Sequence, residues 1–216
     1  MLATALLALT ILLTQTPASP VHAHTTISAA DILKIAPTTA SCAKPPAPGE
    51  CRAADQAAPY IAISFANFGI TAFPEQAALL ALMLYESDAF KYNRNHFPGI
   101  PGQGTRNMQS PEYNTKYANY LSTVCKNCGI TATAIQQAEA QGPAAVLELV
   151  NTDEWSFGSA AWFLATQCDD SVRQQLATGT QAGWEAYLSE CVGTTVSEGR
   201  NELWSAAIAL KASSSR

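Results

Sequence analysis

The sequence predicts an all-α fold in a single domain, on three observations. Apolar residues recur at helical spacing, and no run alternates with period two for long enough to make a strand. Helix-start signals stand ahead of those runs, among them Ser28 as a cap and Pro74 in a first turn. Six cysteines, an even count, supply covalent staples for a loop-rich chain.

The elements follow in order. Ser28 caps a helix over 28–35, with Asp31 three residues on in a capping-box-like start. After a proline-rich loop, a second helix covers 53–68, with an interruption expected near Pro59. Pro74 opens the third and most apolar helix, which runs to Glu86. Residues 91–110 are rich in Asn, Gly and Pro and read as a long irregular stretch. Further helices are expected at 111–121, 133–140, 143–149, 156–168, 179–190 and 197–211. A long loop without structure is uncommon inside a compact helical domain and commonly functional, so the chemistry is sought there.

Composition narrows the function. The 216 residues are 48% hydrophobic, but only 13% are charged, against about 25% usually. Ala, Thr, Ser, Gln and Asn fill the gap, giving a neutral polar surface. The net charge of -5 argues against nucleic acid as a partner and predicts no electrostatic pull toward membranes.

Residues 2–13 are almost unbroken in apolarity but too short to span a bilayer. The small-residue signal Val21-His22-Ala23 follows. Residues 1–23 therefore read as a secretory signal peptide, and 24–216 as the mature domain, secreted and monomeric. In an oxidising compartment the six cysteines form three disulfides, of fifteen possible pairings. The expectation is nearest-neighbour pairing: Cys42–Cys51, Cys125–Cys128 and Cys168–Cys191. A redox role for Cys125-Lys126-Asn127-Cys128 would need a strand–helix setting, which is absent. Zinc would need a second closely spaced Cys or His pair, so no metal and no cofactor are expected.

Leu79, Leu82, Met83 and Glu86 fall on one helix face. Glu86 then ends its helix beside apolar surface. Partial desolvation and the negative end of the helix dipole both disfavour a charged carboxylate there, which suits a proton donor. A helix-terminal Glu turned to solvent is the plainer alternative.

Tyr85-Glu86-Ser87 is followed, after the irregular stretch, by Arg106-Asn107-Met108-Gln109. On these residues the chain resembles the lysozyme-like superfamily, specifically goose-type lysozymes and lytic transglycosylases. That family has a helix ending in Glu-Ser, whose Glu is the catalytic acid. A loop and Gly-Leu-Met-Gln follow, and the Met-Gln lines the sugar cleft. Met108-Gln109 matches; Arg106-Asn107 stands where the family has Gly-Leu. Trp155-Ser156-Phe157-Gly158 with Trp162-Phe163-Leu164 looks like the family's Gly followed by aromatic-Leu on a cleft wall. The resemblance covers residues 74–164, and the acidic, cysteine-stapled chain looks like a secreted fungal muramidase.

The resemblance implies a lysozyme-like helical domain with an active-site loop, acting on bacterial peptidoglycan between N-acetylmuramic acid and N-acetylglucosamine. Glu86 would protonate the glycosidic oxygen, a step typically worth about 10²–10⁴ in rate. Gln109 would hydrogen-bond an N-acetyl group or hydroxyl. Ser87 would orient Glu86 or touch substrate. Tyr92, Asn93 and Asn107 would line the cleft, with Trp155 and Phe157 stacking on sugar faces. Trp162 and Phe163 read better as core.

Glycosidases commonly use two carboxylates, about 5–5.5 Å apart when retaining and about 6.5–9.5 Å when inverting. Glu112 is the candidate for the second, near where goose-type lysozymes place an aspartate. It is equally a first-turn acid suited to the helix dipole. Asp88, Asp153 and Glu154 are further candidates. Lytic transglycosylases manage with one Glu, because a substrate hydroxyl attacks and leaves an anhydro sugar. Other readings stay open: a chitinase or chitosanase on a related scaffold, or a secreted glycan-binding protein without cleavage. Cleavage after Ala23 would leave His24 as the N-terminus, as in copper-dependent polysaccharide monooxygenases, but those are β-sandwich proteins. Repulsion from anionic wall polymers predicts better activity at mildly acidic pH.

Overall fold

In the computed structural model, residues 27–213 are described, the side chains of 211–213 excepted. The expected signal peptide, 1–23, and His24 lie outside them. Among the described residues there are ten α-helices and no strand longer than an isolated bridge. No helix is long and apolar enough to cross a membrane.

Helix α1 (Ala29–Ile35) starts with the predicted box: Asp31 N–H bonds the Ser28 hydroxyl and Asp31 accepts from Ser28 N–H. A short 3₁₀ turn (Pro37–Ala40) and the Cys42–Cys51 loop lead to α2 (Ala54–Asn67). The interruption expected at Pro59 is absent; α2 runs through it. The ring costs one hydrogen bond near the helix start. Burial of Ala57, Ile61 and Phe65 against α7 (Asp153–Gln167) holds the helix together.

Helix α3 (Phe73–Glu86) is buried on every side from Pro74 to Leu84. It is a core helix rather than an amphipathic one, and α10 (Glu198–Ser213) packs along it. After the loop come α4 (Pro111–Val124), α5 (Ala132–Gln141) and α6 (Pro143–Val150), then α7. Helix α8 (Asp170–Ala177) is an element the sequence did not predict. Helix α9 (Gln181–Ala186) runs into a π-helical turn (Tyr187–Val192) before α10.

Two apolar clusters result. One gathers α1, α2, α3 and the C-terminal helices around Leu79, Leu80, Trp184 and Trp204. The other gathers α4, α5 and α6 around Tyr117, Leu147 and Trp162. Helix α7 supplies both, and Trp162 and Phe163 belong to the core as expected. All three disulfides pair nearest neighbours: Cys42–Cys51, Cys125–Cys128 and Cys168–Cys191. The site lies where the clusters meet, under residues 87–110.

Candidate active site

Glu86 is the last residue of α3, and the chain leaves it by an unusual turn. Asp88, Ala89 and Phe90 have φ of 48°, 54° and 64°. Left-handed backbone costs a residue with a Cβ about 1–2 kcal/mol. The fully buried Ser87 hydroxyl holds the turn, donating to Met83 O at 2.6 Å and accepting from Phe90 N–H at 2.9 Å. Arg52 N–H and Arg106 Nη1 both donate to Phe90 O.

Two cavities open beside Glu86. One of about 250 Å³ lies between Leu82, Asn107, Gln109, Tyr113, Phe163 and the segment Val192–Thr194. The other, about 320 Å³, lies against Tyr92, Arg94, Asn95, His96 and Phe97. Glu86, Gln103 and Met108 line both, so the carboxyl sits at the junction of one longer cleft.

The floor is a chain of amides. Gln109 Nε2 donates to Asn114 Oδ1 at 2.7 Å, and Asn114 Nδ2 to Gly102 O at 2.8 Å. Asn107 Oδ1 accepts from Ser159 Oγ and Thr105 Oγ1. Gln103 is fixed at both ends, by Asn95 Nδ2 and Met108 O. These partners set the amides before any ligand arrives. Gly104 bridges Arg94 on one side and Gln109 on the other. A Cβ there would stand 2.7 Å from Asn93 O and from the Leu147 side chain.

Beneath the floor lies Arg106, fully buried. Its Nη1 donates to Phe90 O and Tyr92 O at 2.9 Å, and its Nη2 to Glu50 O at 2.7 Å. The guanidinium packs 4.7 Å over the Phe157 ring. Burial pushes its pKa down to about 10, with Asp153 pulling back, so it is charged at neutral pH. Arg106 thus ties the Cys51 loop to the turn after Glu86.

Arg200 on α10 pairs with Glu86. Its Nη2 and Nε lie 2.7 and 3.3 Å from Glu86 Oε1. It is stacked 4.3 Å over Tyr85 and also donates to Thr195 O. Glu86 Oε2 makes no hydrogen bond among the described residues, and the side chain keeps 19% of its surface. The fold thus sets a cation against the carboxyl at this helix end.

The structure brings Glu86, Tyr92, Asn107 and Gln109 together at the cleft. It does not bring the other predicted residues there. Glu112 points outward, 73% exposed and paired with Lys116 at 2.7 Å, the first-turn role rather than a second acid. Ser87 is a buried turn-lock. Phe157 is core, stacked on Tyr60 and met edge-on by Phe90, so no sugar face reaches it. Trp155 packs against the second cluster and its carbonyl takes the Tyr117 hydroxyl. Asn93 is buried, its N–H given to Glu50 Oε2.

Sequence reasoning missed Glu50, Arg200, Gln103 and Tyr113. Glu50 and Arg200 reach their partners across 46 and 114 residues of chain. No local pattern marks such pairings. Gln103 and Tyr113 flank Met108-Gln109 closely and were legible as its neighbours.

Comparison with curated proteins finds a bifunctional dioxygenase (DOX)-epoxy alcohol synthase (EAS) of Fusarium oxysporum (strain Fo5176). It is 46% identical over 140 residues, which is 64% of this chain. The matched segment is 11% of that protein, so the chain spans a small part of its length. No protein-family model matches the chain, and no solved structure matches it.

Proposed function

We propose that the protein is a glycoside hydrolase of the muramidase type, with Glu86 as proton donor. One observation carries the reading. A helix-terminal carboxyl with a free oxygen sits at the junction of two cavities, walled by amides and aromatic rings. Amides pair with hydroxyl and acetamido groups, and rings pack on sugar faces. The cleft volumes suit a small-molecule or chain-unit site. The resemblance carried by Glu86-Ser87 and Met108-Gln109 supports peptidoglycan as the glycan and secretion as the destination.

In this mechanism a sugar unit lies in each cavity, with the scissile oxygen over Glu86 Oε2. The acid delivers its proton there as the glycosidic C–O bond breaks. Arg200 fixes Oε1, so the carboxyl keeps one orientation. The fixed amides of Gln103, Asn107 and Gln109 hold the units in register without reorganisation.

The oxygenase and synthase activities in the name of the Fusarium relative belong to a much longer protein. The Arg200 pair favours a second reading, a glycan-binding protein that does not cleave. Glu86→Gln separates the two. Under the proposal the variant still pulls down with insoluble peptidoglycan but no longer releases soluble fragments. Release that survives in the variant contradicts it.

A further inference from the structure

Glu50 and His96 form a pair that the acid step does not use. His96 Nε2 lies 2.8 Å from Glu50 Oε1. The Glu50 side chain is only 10% exposed and is held by Asn93 N–H on Oε2 and by Arg94 Nε at 3.4 Å. A carboxylate accepts only, so Nε2 carries the hydrogen and Nδ1 presents its lone pair. Nδ1 makes no hydrogen bond among the described residues. The ring leans on Tyr92, centroids 5.3 Å apart, and it lines the same cavity as Glu86. Among the described residues no second carboxylate lines either cavity.

We infer that His96, oriented by Glu50, is the general base that activates the hydrolytic water. The inference rests on the glycosidase reading. Water in the cavity beside Tyr92 gives a proton to Nδ1, and its oxygen bonds the anomeric carbon. The glycosidic C–O bond breaks, and its oxygen takes the Glu86 proton. Solvent returns the His96 proton to Glu86. A carboxylate–imidazole pair thereby replaces the missing second acid, and attack from the face opposite the leaving group inverts the anomeric centre.

The test uses soluble peptidoglycan glycan strands in ¹⁸O water, with NMR for the anomer and mass spectrometry for the label. The wild-type protein gives an inverted reducing end carrying one ¹⁸O. His96→Ala loses about 10²-fold or more in kcat, with an unchanged melting curve. Azide, a nucleophile that needs no base, restores turnover and yields a glycosyl azide of inverted configuration. Glu50→Gln lowers kcat with KM unchanged. An anhydro or retained product, or full activity in His96→Ala, overturns the inference and leaves the Glu86 reading standing. Cleavage of no strand by the wild-type protein overturns both.

Discussion

Replacing Arg106 by Met tests how the cleft floor is held. Three carbonyls lose a charged donor: Phe90, Tyr92 and Glu50. Phe90 O keeps the Arg52 N–H at 3.0 Å, and Asp153 keeps Arg52 Nε at 2.7 Å. Among the described residues Tyr92 O and Glu50 O keep no protein donor. Each stranded acceptor costs about 1–3 kcal/mol. The Phe157 stack gives up about 1 kcal/mol more. Removal of the buried charge returns part of this, so Arg106→Met is expected to cost about 3–5 kcal/mol, the usual range for breaking a buried ionic network. That is a large share of a typical stability of about 5–15 kcal/mol. Urea unfolding followed by far-ultraviolet circular dichroism should show a lower midpoint at constant slope. Arg106→Lys should be no better, because a single ammonium nitrogen cannot reproduce the planar fork whose Nη1 and Nη2 reach separate carbonyls, and its charge remains buried. A loss under about 1 kcal/mol for Met, or a Lys variant closer to wild type than Met, would refute this account.

Further expectations follow from the same structure. Burial, helped by the Glu86 charge, pushes the Tyr187 phenol above its ordinary 10.0, and burial raises Tyr117 likewise. The folded chain therefore holds those protons longer than the unfolded one. Stability is full below pH 10 and falls as pH rises above it, while Arg106, lowered to about 10 in the folded chain, works the other way above that pH. Tyr187→Phe should move the alkaline unfolding midpoint upward; an unmoved midpoint would contradict the assignment. Gly104→Ala drives a Cβ into Asn93 O and Leu147 and should cost about 1–3 kcal/mol, read as a lower melting temperature. Removing Cys168–Cys191 with a double Ser variant should cost about 3 kcal/mol. It should also loosen Gly193 and Thr194 at the cleft wall, read by faster amide exchange there.

Much of the helical plan is legible because its signals are local. Ser28 and Asp31 write the first cap into four consecutive residues. Helix α8 escapes because only Val172 and Leu176 are buried in its eight residues, too little to show a period. Pro59 misleads because its penalty is local while the packing that outweighs it is not. The same contrast divides the site. Glu86 is legible from its spacing to Leu79, Leu82 and Met83, and Gln109 from the motif around it. Phe157 reads as a ligand-facing aromatic, yet α7 turns it inward under Arg106. Glu50, buried behind the cleft and bonded to His96, and Arg200, on the last helix, are placed only by the tertiary fold.

The most direct test of Glu86 as a glycan-cleaving acid is mass spectrometry of purified peptidoglycan after incubation with wild-type protein and with Glu86→Gln. The account predicts muropeptides ending in reducing muramic acid from the wild type and none from the variant. Identical product profiles from both proteins, or no products from either, would contradict it.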